Sequence, residues 1–355
     1  MSDVSPELLR RHAALAAGLV ADPSWPVIRL KQDASNRSYF RVALPDRSFV
    51  LMAMPAGAGS EEATKGEAPS ELPFVNVHRY LGRLGVRVPA IHRYEPEAGI
   101  MVLEDLGDVT FEAGLAQGGD PASRREALYG QAVDLLASLR ARADRNPDPA
   151  CLASTRAFDF DLYRWELDHF LEWGLAELHG VALDPASKSI VERHADTIAH
   201  ALAALPRGFT HRDYQSRNLM VLPGDELAVI DFQDALQGPR QYDLVALLRD
   251  SYVELPIELV ERMVRRYLVR LAEEGGPVLE PEAFLADFHL LTVQRKLKDA
   301  GRFVFIDRVK KNPSFLPYVA PSLRYVKEAL ARRPELAELD EILGRHVPEL
   351  ARPAA

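Results

Sequence analysis

The chain has 355 residues, 47% hydrophobic and 27% charged, with a net charge of −9 and one cysteine. That length exceeds one average core and suits two lobes, and the acidic balance leaves no basic surplus for nonspecific nucleic-acid binding. Cys151 alone excludes an intramolecular disulfide framework or a cysteine-rich metal centre, as expected in a reducing cytoplasm. No run approaches the roughly 20 apolar residues that cross a membrane, and the sequence offers no sign of an obligate protein partner.

Ser5-Pro6 followed by Leu8, Leu9, His12 and Leu15 predicts a capped amphipathic helix rather than a signal segment, because Asp3 and Glu7 interrupt any basic region. Val27–Asp33, Ser38–Leu44 and Ser48–Met54 are rich in strand formers, with Pro45-Asp46-Arg47 as a turn. The polar, glycine-bearing stretch 55–70 reads as a loop. Glu71–Leu84 has Phe74, Val77, Tyr80, Leu81 and Leu84 at helical spacing, and strands follow at Ala90–Tyr94 and Ile100–Leu106. These elements predict a β-rich lobe over residues 1–107. Residues 108–355 predict a helical lobe, with segments 121–144, 158–178, 186–205, 241–253, 256–273, 281–302, 318–331 and 335–345 and a loose tail from 346. A loop with a short strand pair interrupts these helices at 209–231. No internal repeat and no Walker-type phosphate loop is evident.

The most informative run is His211-Arg212-Asp213-Tyr214-Gln215-Ser216-Arg217-Asn218, followed by Val229-Ile230-Asp231-Phe232. An Asp and an Asn five residues apart fit one short loop, so Asp213 can face an acceptor hydroxyl while Asn218 reaches Mg2+. Asp231, ending the next short strand, would be the principal metal ligand; this is the equipment of phosphoryl transfer from ATP. Taken singly, each of these residues could be a turn former or cap. Their order and the apolar runs between them favour the chemical reading.

His211 to Tyr252 resembles the core of the aminoglycoside phosphotransferase/choline kinase-like family, small-molecule relatives of the protein kinases. Asp33-Ala34-Ser35 leading into Tyr39-Phe40-Arg41-Val42 is similar, more narrowly, to a bacterial branch of amino-sugar kinases. So are Leu103-Glu104-Asp105-Leu106-Gly107-Asp108 and Gln294-Arg295-x-Leu297-Lys298. That branch phosphorylates the anomeric hydroxyl of N-acetylmuramate and N-acetylglucosamine during cell-wall recycling. The resemblance implies an α+β, two-lobed protein-kinase-like fold with ATP as co-substrate and a small-molecule sugar as acceptor. It makes His211 a structural support and adds to Asp243, otherwise a helix N-terminal residue, a hydrogen bond to the catalytic loop. Backbone groups at Glu104 and Leu106 would meet adenine, and Ser35, Asn36 and Arg37 would meet phosphates. Gln233 stands where protein kinases carry the Gly of Asp-Phe-Gly, a glycine that small-molecule relatives do not require.

One departure is the third strand, Phe49–Met54, which has no lysine to hold the α- and β-phosphates. Lys31, Lys65, Arg37 and Arg41 are candidate replacements, and the narrower branch also carries Met there. The stretch from Asp231 to Asp243 is too short for a protein-kinase activation segment, which argues for a small acceptor. Gln294–Lys311 carries Arg295, Lys296, Lys298, Arg302, Arg308, Lys310 and Lys311 against Asp299 and Asp307. This surplus suits an anionic acceptor or nucleotide phosphates, unless it is a solvated helix face. Arg295 and Lys298 are the acceptor candidates there, joined by Glu166 and by Arg217 beside Asn218. Trp165, Phe170 and Trp173 read as core, with sugar stacking the alternative. An aminoglycoside kinase and a nucleotide-binding regulator that does not catalyse remain open at this point.

Overall fold

A computed structural model describes residues 4–30, 37–54, 71–118 and 120–351. The expected Ser35, Asn36, Lys31 and Lys65 contacts and the loop 55–70 lie outside them. The small lobe opens with α1 (Pro6–Ala17), whose first turn is capped by the Ser5 hydroxyl accepting from Leu8 N and whose end is closed by Gly18 at φ 68°. Strands β1 (Val27–Arg29), β2 (Ser38–Ala43) and β3 (Ser48–Ala53) follow, then α2 (Pro73–Arg83), β4 (Ile91–Glu95) and β5 (Ile100–Glu104). They form an antiparallel sheet in the order β1-β2-β3-β5-β4. Alternation gives the sheet two packed faces. Leu51, Val42, Phe49 and Val102 bury under α1, while Met52, Met101 and Leu103 face α2 and the main core.

After β5 the chain turns helical, with α3 (Phe111–Gly114), α4 (Pro121–Arg145), α5 (Phe160–His169) and α6 (Pro185–Ala203). Asp120, Asp159 and Asp184 cap the last three of these through their carboxylates. Two short antiparallel pairs then interrupt the helices. In chain order the strands are β6 (Arg207–Thr210), β7 (Leu219–Val221), β8 (Leu227–Val229) and β9 (Leu236–Pro239), pairing β6 with β9 and β7 with β8. Helices α7 (Gln241–Leu248), α8 (Ile257–Glu273), α9 (Pro281–Lys310), α10 (Val319–Leu330) and α11 (Ala337–His346) complete the lobe. Among the described residues no helix is long and apolar enough to cross a membrane.

Three expectations change. The α7 helix stops at Leu248 because Arg249, Asp250 and Ser251 turn inward and are buried. The tail is packed as far as Leu350, since Val347 and Leu350 are fully buried against the helical core. And α9 runs eight residues past the expected 302 to Lys310, with Gln294, Arg295 and Lys296 buried, so its middle is not a solvated face.

Beyond α5 the helix widens into π-helical turns over Phe170–Glu177, and α9 lies directly against them. Gly301 makes the approach possible: a Cβ there would stand 2.8 Å from Phe170 Cα and 2.9 Å from the His169 carbonyl oxygen. Both are backbone atoms and cannot swing away. Gly301→Val is therefore expected to destabilise the protein by roughly 1–3 kcal/mol through overpacking, read as a lowered thermal midpoint. An unchanged midpoint would mean that the two helices are not so closely held.

Candidate active site

The candidate catalytic loop lies between β6 and β7, where the two small ribbons bring residues 211–218 and 230–233 together. Its backbone is bent at Arg212 (φ 80°), and the partner loop is bent at Asp231 (φ 61°); both lie in the left-handed region that non-glycine residues seldom occupy. Asp243, buried in the first turn of α7, holds the first bend by accepting from His211 N at 2.7 Å and Arg212 N at 2.9 Å. His211 Nε2 donates to the Ile230 carbonyl at 3.0 Å, which ties the loop to the second bend. Burial lowers the His211 imidazole below its ordinary range, so it sits there neutral.

Asn218 joins the remaining parts. Its Nδ2 donates to the Asp213 carbonyl at 2.9 Å and lies 3.5 Å from Asp231 Oδ2, so the amide bridges the Asp213 backbone and the Asp231 carboxylate. Gln233, given no role in the sequence, donates from its amide to Asp231 Oδ1 at 2.9 Å and steers that carboxylate. Phe232 is buried against Phe74 of α2, with ring centroids 4.8 Å apart, which fixes Asp231 at the junction of the lobes.

The surroundings shift the two carboxyl groups in opposite directions. The protein around Asp231 strips much of the water that would solvate it and, with Asp213 nearby, pushes its carboxyl up to about 6 despite the Gln233 hydrogen bond. Enclosure would raise Asp213 too, but Arg295, Lys298 and Arg212 outweigh it and hold Asp213 below the ordinary carboxylate range. Arg295 itself is fully buried, with Nη2 at 3.4 Å from Asp213 Oδ1 and its guanidinium 4.6 Å from the Tyr242 ring. The hard oxygens of Asp231 and Asn218 fit a magnesium ion that takes its other ligands from phosphate and water.

Around this centre the predicted residues divide. Arg37 points to the cleft, 4.0 Å from Asp231 Oδ1. Arg41 does not, which corrects one candidate for the phosphate cation: its guanidinium grips Asp105 at 2.6 and 2.8 Å and Asp108 at 2.8 Å, behind the sheet edge. The kinase lysine's usual partner is a helix Glu; β3 lacks the one and α2 the other, so the pair is missing as a unit. At the expected hinge the Glu104 N–H is taken by the Ala90 carbonyl at 2.9 Å and its carboxylate by Arg87, while Leu106 lies half-buried just beyond β5.

Glu166 is buried and accepts from Gln294 Nε2 at 2.7 Å, with Arg212 3.7 Å away. Arg217 bonds Glu112 and the Tyr318 hydroxyl, each at 2.7 Å, and lies 3.7 Å over the Tyr252 ring, so it braces the loop beside Asn218. Lys298 is half-buried beside Asp299, 3.1 Å away. Trp165 is 44% exposed rather than core, because it lies on the outer side of α5, whereas Phe170 is buried. Sequence reasoning missed Asp250, whose carboxylate accepts from Ser216 N at 2.9 Å, and Lys296, which donates to Ser251 and Asp299 at 2.6 Å each. The available signal for Asp250 was the polar triplet Arg249-Asp250-Ser251 directly after an apolar helix.

Residues 26–281 match the model of the phosphotransferase enzyme family. A relative from Pseudomonas aeruginosa, "N-acetylmuramate/N-acetylglucosamine kinase", is 36% identical over 93% of this chain and 91% of its own length. Among solved structures, the choline kinase LicA from Streptococcus pneumoniae superimposes with a TM-score of 0.59 at 14% identity, covering 86% of this chain and 93% of that one. The gentamicin complex of APH(2")-IIa gives 0.58 at 15% identity, over 91% and 97%. The chain belongs to the phosphotransferase enzyme family and is an ATP-dependent kinase on the two-lobed, protein-kinase-like fold of those structures.

Proposed function

We propose that the chain phosphorylates the anomeric hydroxyl of N-acetylmuramate, N-acetylglucosamine or both, and that the product serves the recycling of cell-wall sugars in the cytoplasm. The observation that carries the catalytic part is Asn218, which links the Asp213 backbone to the Asp231 carboxylate and so gathers base and metal ligands at one point. The sugar assignment is supported by the 36% identity to a kinase of that name.

In this reading Asp213, held ionised by Arg295 and Lys298, orients the sugar hydroxyl and accepts its proton as the oxygen attacks the γ-phosphorus. The bond from that phosphorus to the β,γ-bridging oxygen breaks and ADP leaves. Asn218 and Asp231 would hold magnesium, which neutralises charge on the phosphates when bound. Arg37, with Ser35 and Asn36, would cover the phosphates, and Glu104 and Leu106 would border the adenine. Glu166, Arg217, Arg295 and Lys298 would surround the acceptor, the first three of them mainly by shaping its floor. His211 and Asp243 hold the loop.

Incubation with ATP, magnesium and a panel of both N-acetylated sugars, other hexoses and kanamycin is expected to release ADP with the N-acetylated sugars and to yield an acid-labile 1-phosphate. ADP release with kanamycin alone would overturn the sugar assignment, and an acid-stable phosphate would overturn the position.

A further inference from the structure

Asp243 holds the first end of the 211–218 loop. The other end, which carries Asn218, is held by a second buried carboxylate, Asp250, just after the chain leaves α7. Asn218 closes a tight turn, its N–H donating to the Gln215 carbonyl at 2.9 Å. Ser216 lies within that turn and is fully buried. Its backbone is gripped on both sides: the N–H donates to Asp250 Oδ2 at 2.9 Å, and the carbonyl accepts from Glu112 N at 3.1 Å.

The second oxygen of Asp250 accepts from Tyr252 N at 3.0 Å. That bond fixes the backbone of the residue whose ring lies 3.7 Å beneath the Arg217 guanidinium. One side chain therefore anchors Ser216 directly and the support of Arg217 indirectly, the two residues that lead into Asn218. Each donor takes its own oxygen, which a carboxylate supplies and an amide side chain, with one oxygen, does not.

The anchor is itself held from behind. Ser251 accepts from Lys296 Nζ of α9 at 2.6 Å and shares a hydrogen bond with Ser322 of α10 at 2.7 Å. Lys296 also pairs with Asp299 at 2.6 Å. Asp250, Ser251, Lys296 and Ser322 are all buried, so the grip on the turn rests on two packed helices.

We propose that Asp250 is a positioning residue for metal binding: by fixing the turn from Gln215 to Asn218, it sets where the Asn218 side-chain oxygen meets the magnesium ion. The inference rests on the reading above that Asn218 is a metal ligand. Asn218 Nδ2 is engaged by the Asp213 carbonyl, so the amide has one oxygen for the metal, and its place depends on the turn behind it. Asp243 and Asp250 thus divide the loop, the first governing the bend before Asp213 and the second the turn before Asn218.

The probe is Mn2+ in place of magnesium, with bound and free ion distinguished by electron paramagnetic resonance. Its affinity for the full chain with ADP is measured for the parent, Asp250→Ala, Asp250→Asn and Asn218→Ala, well below the unfolding temperature of each. Loss of a group that orients a metal ligand is expected to weaken Mn2+ binding by about tenfold or more in Asp250→Ala. Asp250→Asn keeps the size and one acceptor, so its affinity should fall between; it also carries the test if the alanine variant does not fold. ADP binding without metal should change little. A residue that only stabilised the fold would lower the thermal midpoint and leave Mn2+ affinity intact. Undiminished Mn2+ affinity in the Asp250 variants, with Asn218→Ala impaired, overturns the positioning role and leaves the metal reading standing. An equal loss of metal-free ADP binding marks general disruption and also overturns it. A parent that binds no Mn2+, or Asn218→Ala with undiminished affinity, overturns the metal role of Asn218, and the proposal falls with it.

Discussion

Asp213→Asn is expected to lower kcat by about a thousandfold, within the range for loss of a general base, while ATP still binds. Asparagine keeps the size and one oxygen of aspartate, so the loop can retain its shape while the proton acceptor is lost. Within the loop it is the Asp213 backbone carbonyl, not the carboxylate, that accepts from Asn218. Its carboxylate instead faces the buried Arg295 and stays 39% exposed toward the cleft. Arg295 and Lys298 keep it ionised but also weaken it as a base, so its role joins alignment of the hydroxyl to acceptance of the proton. The measurement is single-turnover phosphate transfer alongside ATP binding by calorimetry. Near-normal transfer in Asp213→Asn would remove this residue from the proton path.

Asp243→Ala is expected to cost stability and turnover together. Two buried backbone donors, His211 N and Arg212 N, would lose their acceptor, and each unsatisfied group costs about 1–3 kcal/mol. Arg212 is also held at φ 80°, so the released loop would relax toward ordinary backbone angles and move Asp213 away from Asp231. A total loss of about 3 kcal/mol corresponds to a fall in thermal midpoint of roughly 5 °C or more for a chain of this size. The fall in kcat should persist at temperatures where the variant is fully folded, since alignment is lost before the fold is. Unchanged melting with unchanged kcat would show that the loop holds its shape without this carboxylate.

The candidate catalytic segment was legible because the residues it brings together are local. Asp213, Asn218 and Asp231 lie within 19 consecutive residues on two short connected loops, and the strand formers between them force the chain back on itself. The order of three strands, a helix and two strands was equally readable, since alternation and helical spacing are properties of neighbouring residues. Helix ends fared less well. The turn after Leu248 and the burial of Val347 and Leu350 depend on what packs against them, and no local pattern carries that.

The sequence by itself determined the class of chemistry, the two-lobed plan and the residues that gather at the candidate site. Only the tertiary structure decided what the cations do. Arg41 and Arg37 lie four residues apart in one small lobe, yet one is locked to Asp105 and the other reaches Asp231. Along α9, Arg295 is fully buried on Asp213, Lys296 is neutralised by Asp299, and Arg302 lies over Phe305 at the open edge. The physical reason is that a charged side chain is defined by its partner and its water. Both come from segments distant in sequence, which meet only when the chain is folded.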